Sequence, residues 1–215
     1  MPLQELNSNN GADKLTHEIA ERCLTEFKGK LYGVEKGCPY GAALAFIGEL
    51  WRGRGTIWGF DTFEGHPQEI AELCPDTIKD KGVDSNAARC MDYWYNSPDY
   101  GTDKLKYEYI RSKLDELGLD NAILVKGLFT SETKIDFIPK LHYAMIDFDY
   151  PLSQWDGYNA VKNKIVKGGY LCLHDMIPKG HIAGNYERYQ DILAEGIFDI
   201  ELEDRASLLV ILKKK

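Results

Sequence analysis

Apolar and polar positions along this chain follow two periods in turn. Leu15, Ile19, Cys23 or Leu24, and Phe27 recur at helical spacing, which predicts a helix capped by Asp13 and ended by Gly29. A short apolar run, Leu31-Tyr-Gly-Val-Glu35, follows as a strand. Gly37 and Gly41 then bracket a tight turn, and an Ala-rich helix runs to about Trp51 before Arg52-Gly-Arg-Gly55 breaks it. Residues 56–61 are β-branched and aromatic, a second strand. Regular periodicity fails over residues 62–103, which hold Pro67, Pro75, Pro98 and the aromatics Tyr93, Trp94, Tyr95 and Tyr100. So long an unpatterned stretch inside a compact chain is expected to be a lid or substrate wall, the plainer alternative being aromatics that only anchor a loop.

Helical spacing returns with Leu105, Ile110, Leu114 and Leu117, stopped by Gly118. Residues 122–126 form a buried-strand run, 130–137 a short helix, and 142–147 another strand. Gln154, Tyr158, Val161 and Ile165 put one helix face on the core, and Gly168-Gly169 turns the chain into a strand at 170–175. A helix near 186–195 precedes two closing strands, 197–202 and 207–212. Strands alternating with helices predict an α/β class: a doubly wound, Rossmann-like sheet of about seven mostly parallel strands, helices on both faces, and an antiparallel strand near the C-terminus.

Length and charge narrow the class. No linker divides the 215 residues, so one domain spanning 1–215 is expected, with 62–103 inserted. A net charge of -8 without a basic patch argues against nucleic acid as partner. No apolar run nears the roughly 20 residues needed to span a bilayer, and the first ten residues lack a signal-peptide core. The five cysteines (Cys23, Cys38, Cys74, Cys90, Cys172) are odd in number and lack any Cys-x-x-Cys pair. A reduced, cytoplasmic setting is expected.

Chemistry gathers at the strand ends. Glu35, Asp61, Lys126, Asp147 and the pair His174-Asp175 each finish a predicted strand, and the carboxyl ends of parallel strands share one sheet edge. Asp61 stands where an acid accepts hydrogen bonds from ribose hydroxyls. Neither Gly-x-Gly-x-x-Gly nor a phosphate-binding Gly-x-x-x-x-Gly-Lys loop occurs. The first turn instead carries Glu35, which repels phosphate and suits an ammonium or sulfonium. S-adenosylmethionine is therefore favoured over a nucleotide.

Five segments occur in order: Val34-Glu35-Lys-Gly37-Cys-Pro-Tyr-Gly41, Trp58-Gly-Phe-Asp61-Thr-Phe-Glu-Gly65-His-Pro67, Lys126-Gly127-Leu-Phe129-Thr130-Ser-Glu-Thr133, Ile146-Asp147-Phe-Asp149-Tyr150, and Gly168-Gly-Tyr-Leu-Cys-Leu-His174-Asp175. Over roughly residues 29–213 the chain resembles the macrocin O-methyltransferase-like (TylF-type) family of class I S-adenosylmethionine-dependent methyltransferases, most specifically through Gly-Phe-Asp-Thr-Phe-Glu-Gly. The resemblance implies that Glu35, Gly37 and Gly41 hold the methionine end of S-adenosylmethionine. It implies that Asp61 binds the ribose, with Thr62 and Phe63 beside the adenosine, and that Gly127, Leu128 and Phe129 lie along the adenine. Asp147 would stand near the sulfonium and the metal position. A homodimer and a small-molecule hydroxyl acceptor (sugar, phenol or natural product) are implied as partners.

One position departs from the family. Where Asp-Asp-Tyr is usual, this chain has His174-Asp175-Met176. Magnesium prefers oxygen ligands, whereas imidazole suits zinc, manganese, iron or nickel. Asp147, His174 and Asp175 thus leave open a magnesium site short of one carboxylate, another divalent metal, or no metal with His174 as general base at its unperturbed pKa of about 6.5. A purely structural, backbone-bonded His174 is the plain alternative. His66, His142, His181, Asp149 and Tyr150 rank below these. The reading competes with a non-catalytic S-adenosylmethionine-binding module, which the His174 replacement keeps open, and with a nicotinamide oxidoreductase, which the absent glycine fingerprint disfavours.

Overall fold

The computed structural model describes residues 11–38, 40–64, 106–177 and 184–215. The expected lid at 62–103 therefore lies outside the described residues beyond Glu64, as do His66, Cys74, Cys90, His181 and the tyrosine–tryptophan cluster. Five helices and seven strands are described: α1 (Gly11–Glu26), β1 (Leu31–Lys36), α2 (Ala42–Leu50), β2 (Gly55–Asp61), α3 (Tyr107–Glu116), β3 (Ala122–Lys126), β4 (Leu141–Ile146), α4 (Pro151–Val161), β5 (Ile165–His174), α5 (Asn185–Ala194), β6 (Phe198–Asp204) and β7 (Leu209–Lys214). One seven-stranded sheet takes the order β3-β2-β1-β4-β5-β7-β6. β1 to β5 run parallel to one another, and β7 lies antiparallel between β5 and β6. The doubly wound sheet with its antiparallel strand near the C-terminus is as expected.

Alternation along each strand splits the core in two. Tyr143 and Met145 of β4, with Tyr170 and Cys172 of β5, pack under α1, α2 and α3; Ala144, Ile146, Leu171 and Leu173 face α4 and α5. Trp51, at the end of α2, shows how composition fixes the first layer. Its indole is fully buried, donates to Ala20 O at 3.0 Å and packs edge-on to Tyr143. A Cβ on Gly33 or Gly55 would stand 2.9 Å from that ring. The Arg52-Gly-Arg-Gly55 break is thus a turn folded back under a tryptophan. No helix among the described residues is long and apolar enough to cross a membrane.

Two expectations are corrected. Residues 130–137 form turns, not a helix: Thr133 Oγ1 accepts from Thr130 N at 2.9 Å, and Thr130 Oγ1 accepts from Glu132 N at 3.3 Å. Threonine side chains that bond nearby backbone compete with helical pairing, and Pro139 ends the segment. Gly168-Gly169 does not precede β5 but lies within it, where the register against β4 slips between Leu141 and Tyr143. A Cβ on Gly169 would meet Ile165 at 2.9 Å and Val166 O at 3.0 Å, so the kink needs glycine.

The chain leaves β1, builds β2 and β3 on one side, and returns on the other side as β4. β1 and β4 thus flank the switch point at which doubly wound sheets open a crevice. The turn there is crowded. Gly37 has φ +81°, and a Cβ on it would lie 1.8 Å from Asp147 O. Gly37→Ala is expected to lose more than the roughly 1–2 kcal/mol of left-handed strain alone, because the β4 end must also shift. Urea unfolding checks this, and a loss under about 0.5 kcal/mol, within the range of neutral surface changes, would show that the turn yields freely.

Candidate functional site

The β1 turn supplies one wall. Glu35, next to last in β1, is buried, 8% exposed, and Gly37 N donates to Phe60 O at 2.9 Å. Gly41 takes a left-handed φ of +64° to start α2, where a Cβ would press within 2.5 Å of Ile110. Both glycines answer crowding as well as turn geometry. Between them, burial and the nearby Glu35 and Asp61 charges push the Cys38 thiol well above its ordinary pKa. Cys38 is a packed, un-ionised thiol, not a nucleophile.

Asp61 closes β2 and braces both turns. Its Oδ2 accepts from Cys38 N at 3.0 Å, its Oδ1 from Phe63 N at 2.8 Å, and its carbonyl from Gly127 N at 2.9 Å. A carboxylate has about four lone-pair sites, which lets one group brace several donors at once. Thr62 Oγ1 lies 3.5 Å from Asp61 Oδ1. Gly127 adopts φ +153° with open space where a Cβ would stand, and Leu128 beside it is 40% exposed.

Glu35, Gly37, Gly41, Asp61, Thr62, Gly127 and Leu128 therefore line one sheet edge. The rings of Phe63 and Phe129 do not join them. Phe63 is buried edge-on to Tyr107 in the α1–α3 layer, and Phe129 is buried edge-on to Phe60 in the α4–α5 layer. What those two residues offer a ligand is backbone.

Across the switch point, Asp147, His174 and Asp175 converge. Asp147 N donates to Lys36 O at 2.8 Å, which ties the cluster to β1. His174 Nδ1 lies 3.0 Å from Asp147 Oδ1 and 3.5 Å from Asp175 Oδ2. One ligand atom from each residue falls within 4.8 Å of the others. Asp175 is 6% exposed, and its Oδ1 has no hydrogen-bond partner among the described residues. Its φ is +58°, held by Asp175 N donating to Leu208 O at 2.9 Å. Asp149 and Phe63 share this left-handed geometry, so three of the loops leaving the strand ends carry non-glycine strain, as functional turns often do.

Burial opposes charging of His174, but the Asp147 and Asp175 carboxylates outweigh it and raise its pKa to about 11. The pairing on Nδ1 favours the protonated ring over the neutral one. The expectation of a free base near pH 6.5 does not carry over, because the carboxylate pair changes the affinity of the ring for its proton.

Two supporting residues lack an obvious sequence signature. Gln154 is fully buried and donates to His174 O at 3.0 Å; Asn185 is fully buried and donates to Asp149 O at 2.7 Å. A glutamine on the apolar stripe of α4 is the one hint available, since buried amides are retained where backbone needs partners.

No protein-family profile matches the chain, and no curated protein matches it significantly. Solved structures do. The O-methyltransferase NovP superposes with TM-score 0.67 at 18% identity, covering 94% of this chain and 79% of its own. CalS11, a calicheamicin methyltransferase also described as a TDP-rhamnose 3′-O-methyltransferase, gives 0.68 at 17% identity over 97% of this chain and 80% of its own. SMU.1697c from Streptococcus mutans, solved in complex with SAH, gives 0.54 at 13% identity over 94% and 97%. The chain shares the fold of these proteins.

Proposed function

We propose that this protein is an S-adenosylmethionine-dependent O-methyltransferase acting on a hydroxyl of a small molecule. The observation that carries the proposal is the meeting, at the β1/β4 switch point, of an acidic glycine turn and Asp61 with the Asp147–His174–Asp175 cluster. Glu35 would meet the cofactor's ammonium, Asp61 its ribose, and Gly127 and Leu128 its adenine face. The O-methyltransferases that share the fold support the same class.

The cluster fits a divalent cation. It offers two carboxylates and one imidazole nitrogen within 4.8 Å, including a buried Asp175 oxygen without a partner. When bound, such a cation supplies Lewis acidity that lowers the pKa of an acceptor hydroxyl. A metal that takes His174 Nδ1 must first displace its proton.

The chain's own residues do the rest. The crevice would hold acceptor oxygen, methyl carbon and sulfur in line, an alignment worth several kcal/mol. The oxygen attacks the methyl carbon, the carbon–sulfur bond breaks with its electron pair staying on sulfur, and the hydroxyl proton leaves to a carboxylate oxygen of Asp147 or Asp175. His174, protonated already, orients both carboxylates through Nδ1 and steadies their charge.

Asp61→Asn should weaken SAH binding, read by calorimetry, by at least about tenfold (~1.4 kcal/mol, the order of a charge-assisted hydrogen bond), with a modest fall in Tm because one amide oxygen can keep only one of the two backbone donors. Asp61→Ala should lower both, since it also frees Cys38 N and Phe63 N. Unchanged SAH affinity in both variants would remove Asp61 from the site.

Asp147→Asn and His174→Ala should each cut methyl transfer, measured with labelled cofactor, far more than cofactor affinity. Equal losses would assign these residues to cofactor holding.

The ring's pKa also fixes a pH window. His174 is raised above its unfolded value of about 6.5, so its pairing stabilises fully below that pH and is lost as pH rises through about 11. Nitrogen NMR of the ring should report imidazolium from pH 6 to 9, and Asp147→Asn should bring its titration down towards neutrality. A wild-type midpoint near 6.5 would contradict the pairing.

A further inference from the structure

Lys36 sits between Glu35 and Gly37 and is fully buried, an expensive place for an ammonium. Three segments meet on it. Its carbonyl accepts from Asp147 N at 2.8 Å, and its Nζ donates to Gly157 O of α4 at 2.9 Å. The same Nζ lies 3.7 Å from the centroid of the Phe129 ring, in the loop after β3. Burial pushes the Lys36 amine well below the ordinary lysine pKa, and Asp156, next to Gly157, offsets this only in part. The Asp156 carboxylate in turn accepts from Ser131 N at 3.0 Å, in that same loop.

Fold alone does not require a lysine here. A methionine of similar length would pack against Phe129 and α4 without the cost of burying charge, and such replacements of buried ions are often neutral or stabilising. An N–H group over an aromatic face adds a directional attraction that an apolar chain lacks. The ring it holds belongs to residues 127–129, whose Gly127 and Leu128 form the open side of the crevice. Lys36 therefore links the turn carrying Glu35 to the opposite, adenine-side wall.

We infer that Lys36 is a positioning residue for the cofactor: it holds the loop after β3, through Phe129 and Asp156, at the spacing from the β1 turn that the adenosyl group requires. The functional half of this inference rests on the methyltransferase reading. The geometric half does not.

The test is Lys36→Met in the full chain, read three ways. Tm should stay level or rise. Amide exchange at residues 127–133 should speed up without a general increase elsewhere. SAH affinity should fall by roughly ten- to a hundred-fold, the scale at which small misplacements act. A Phe129→Leu variant should lose affinity similarly, and the double variant should lose little more, because both act through one contact. Wild-type exchange at residues 127–133 in Lys36→Met, or additive losses in the double variant, would overturn the inference. So would a fall in Tm with exchange raised throughout, which marks Lys36 as packing alone. Absence of SAH binding by the wild-type protein would instead sink the methyltransferase reading, while the exchange comparison would still decide what Lys36 holds.

Discussion

The turn after β1 and the end of β4 approach each other until only a hydrogen atom fits between them. With Asp147 O 1.8 Å from where a Gly37 Cβ would stand, and Asp147 N bonded to Lys36 O, the two strand ends form one rigid corner. Everything that could do chemistry hangs on it. Glu35 reaches the site from the strand side of the corner and Asp61 from the neighbouring strand, braced onto Cys38 N. Asp147 leaves from the far side and meets His174. In the proposed reaction, loosening the corner would move the cofactor side relative to the acceptor side, and in-line transfer tolerates little such movement.

Strand periodicity made the frame legible, because seven short apolar runs separated by helical spacing admit few arrangements other than a doubly wound sheet. Strand-end polar residues were legible for the same reason: parallel strands deliver their carboxyl ends to one edge, and Asp147, His174 and Asp175 do meet there. Periodicity could not distinguish a helix from stacked turns at residues 130–137, where two threonine hydroxyls decide the matter locally. Nor could it say which of two neighbouring residues faces a ligand. Phe63 and Phe129 flank the crevice in sequence, yet both rings sink into opposite cores, since burying an aromatic ring outweighs its nearness to the edge.

Pairwise contacts were the least visible level. A histidine ending a strand suggests a base near neutrality, but two carboxylates within reach turn it into a held cation. Lys36 shows the same limit from the other direction. In sequence it is one more charged residue beside a turn; in space it is an amine wholly inside the protein, facing Phe129. Neither property follows from residue type, because both depend on what other segments bring alongside.

Charge balance connects His174 and Lys36 to the proposed chemistry. Glu35, Asp61, Asp147, Asp149 and Asp175 all lie at strand ends or in the loops that follow them, and carboxylates held that close repel one another. His174 relieves the repulsion on the acceptor side, between Asp147 and Asp175. Lys36 turns its amine away from the crevice into the α4–α5 layer. The side that holds Glu35 and Asp61 thus presents two carboxyl groups and no lysine from the β1 turn, which suits the proposed ligand bearing both an ammonium and a sulfonium. A triphosphate or pyrophosphate would meet the same carboxyl groups as repulsion, which is the electrostatic reason for proposing S-adenosylmethionine rather than a nucleotide.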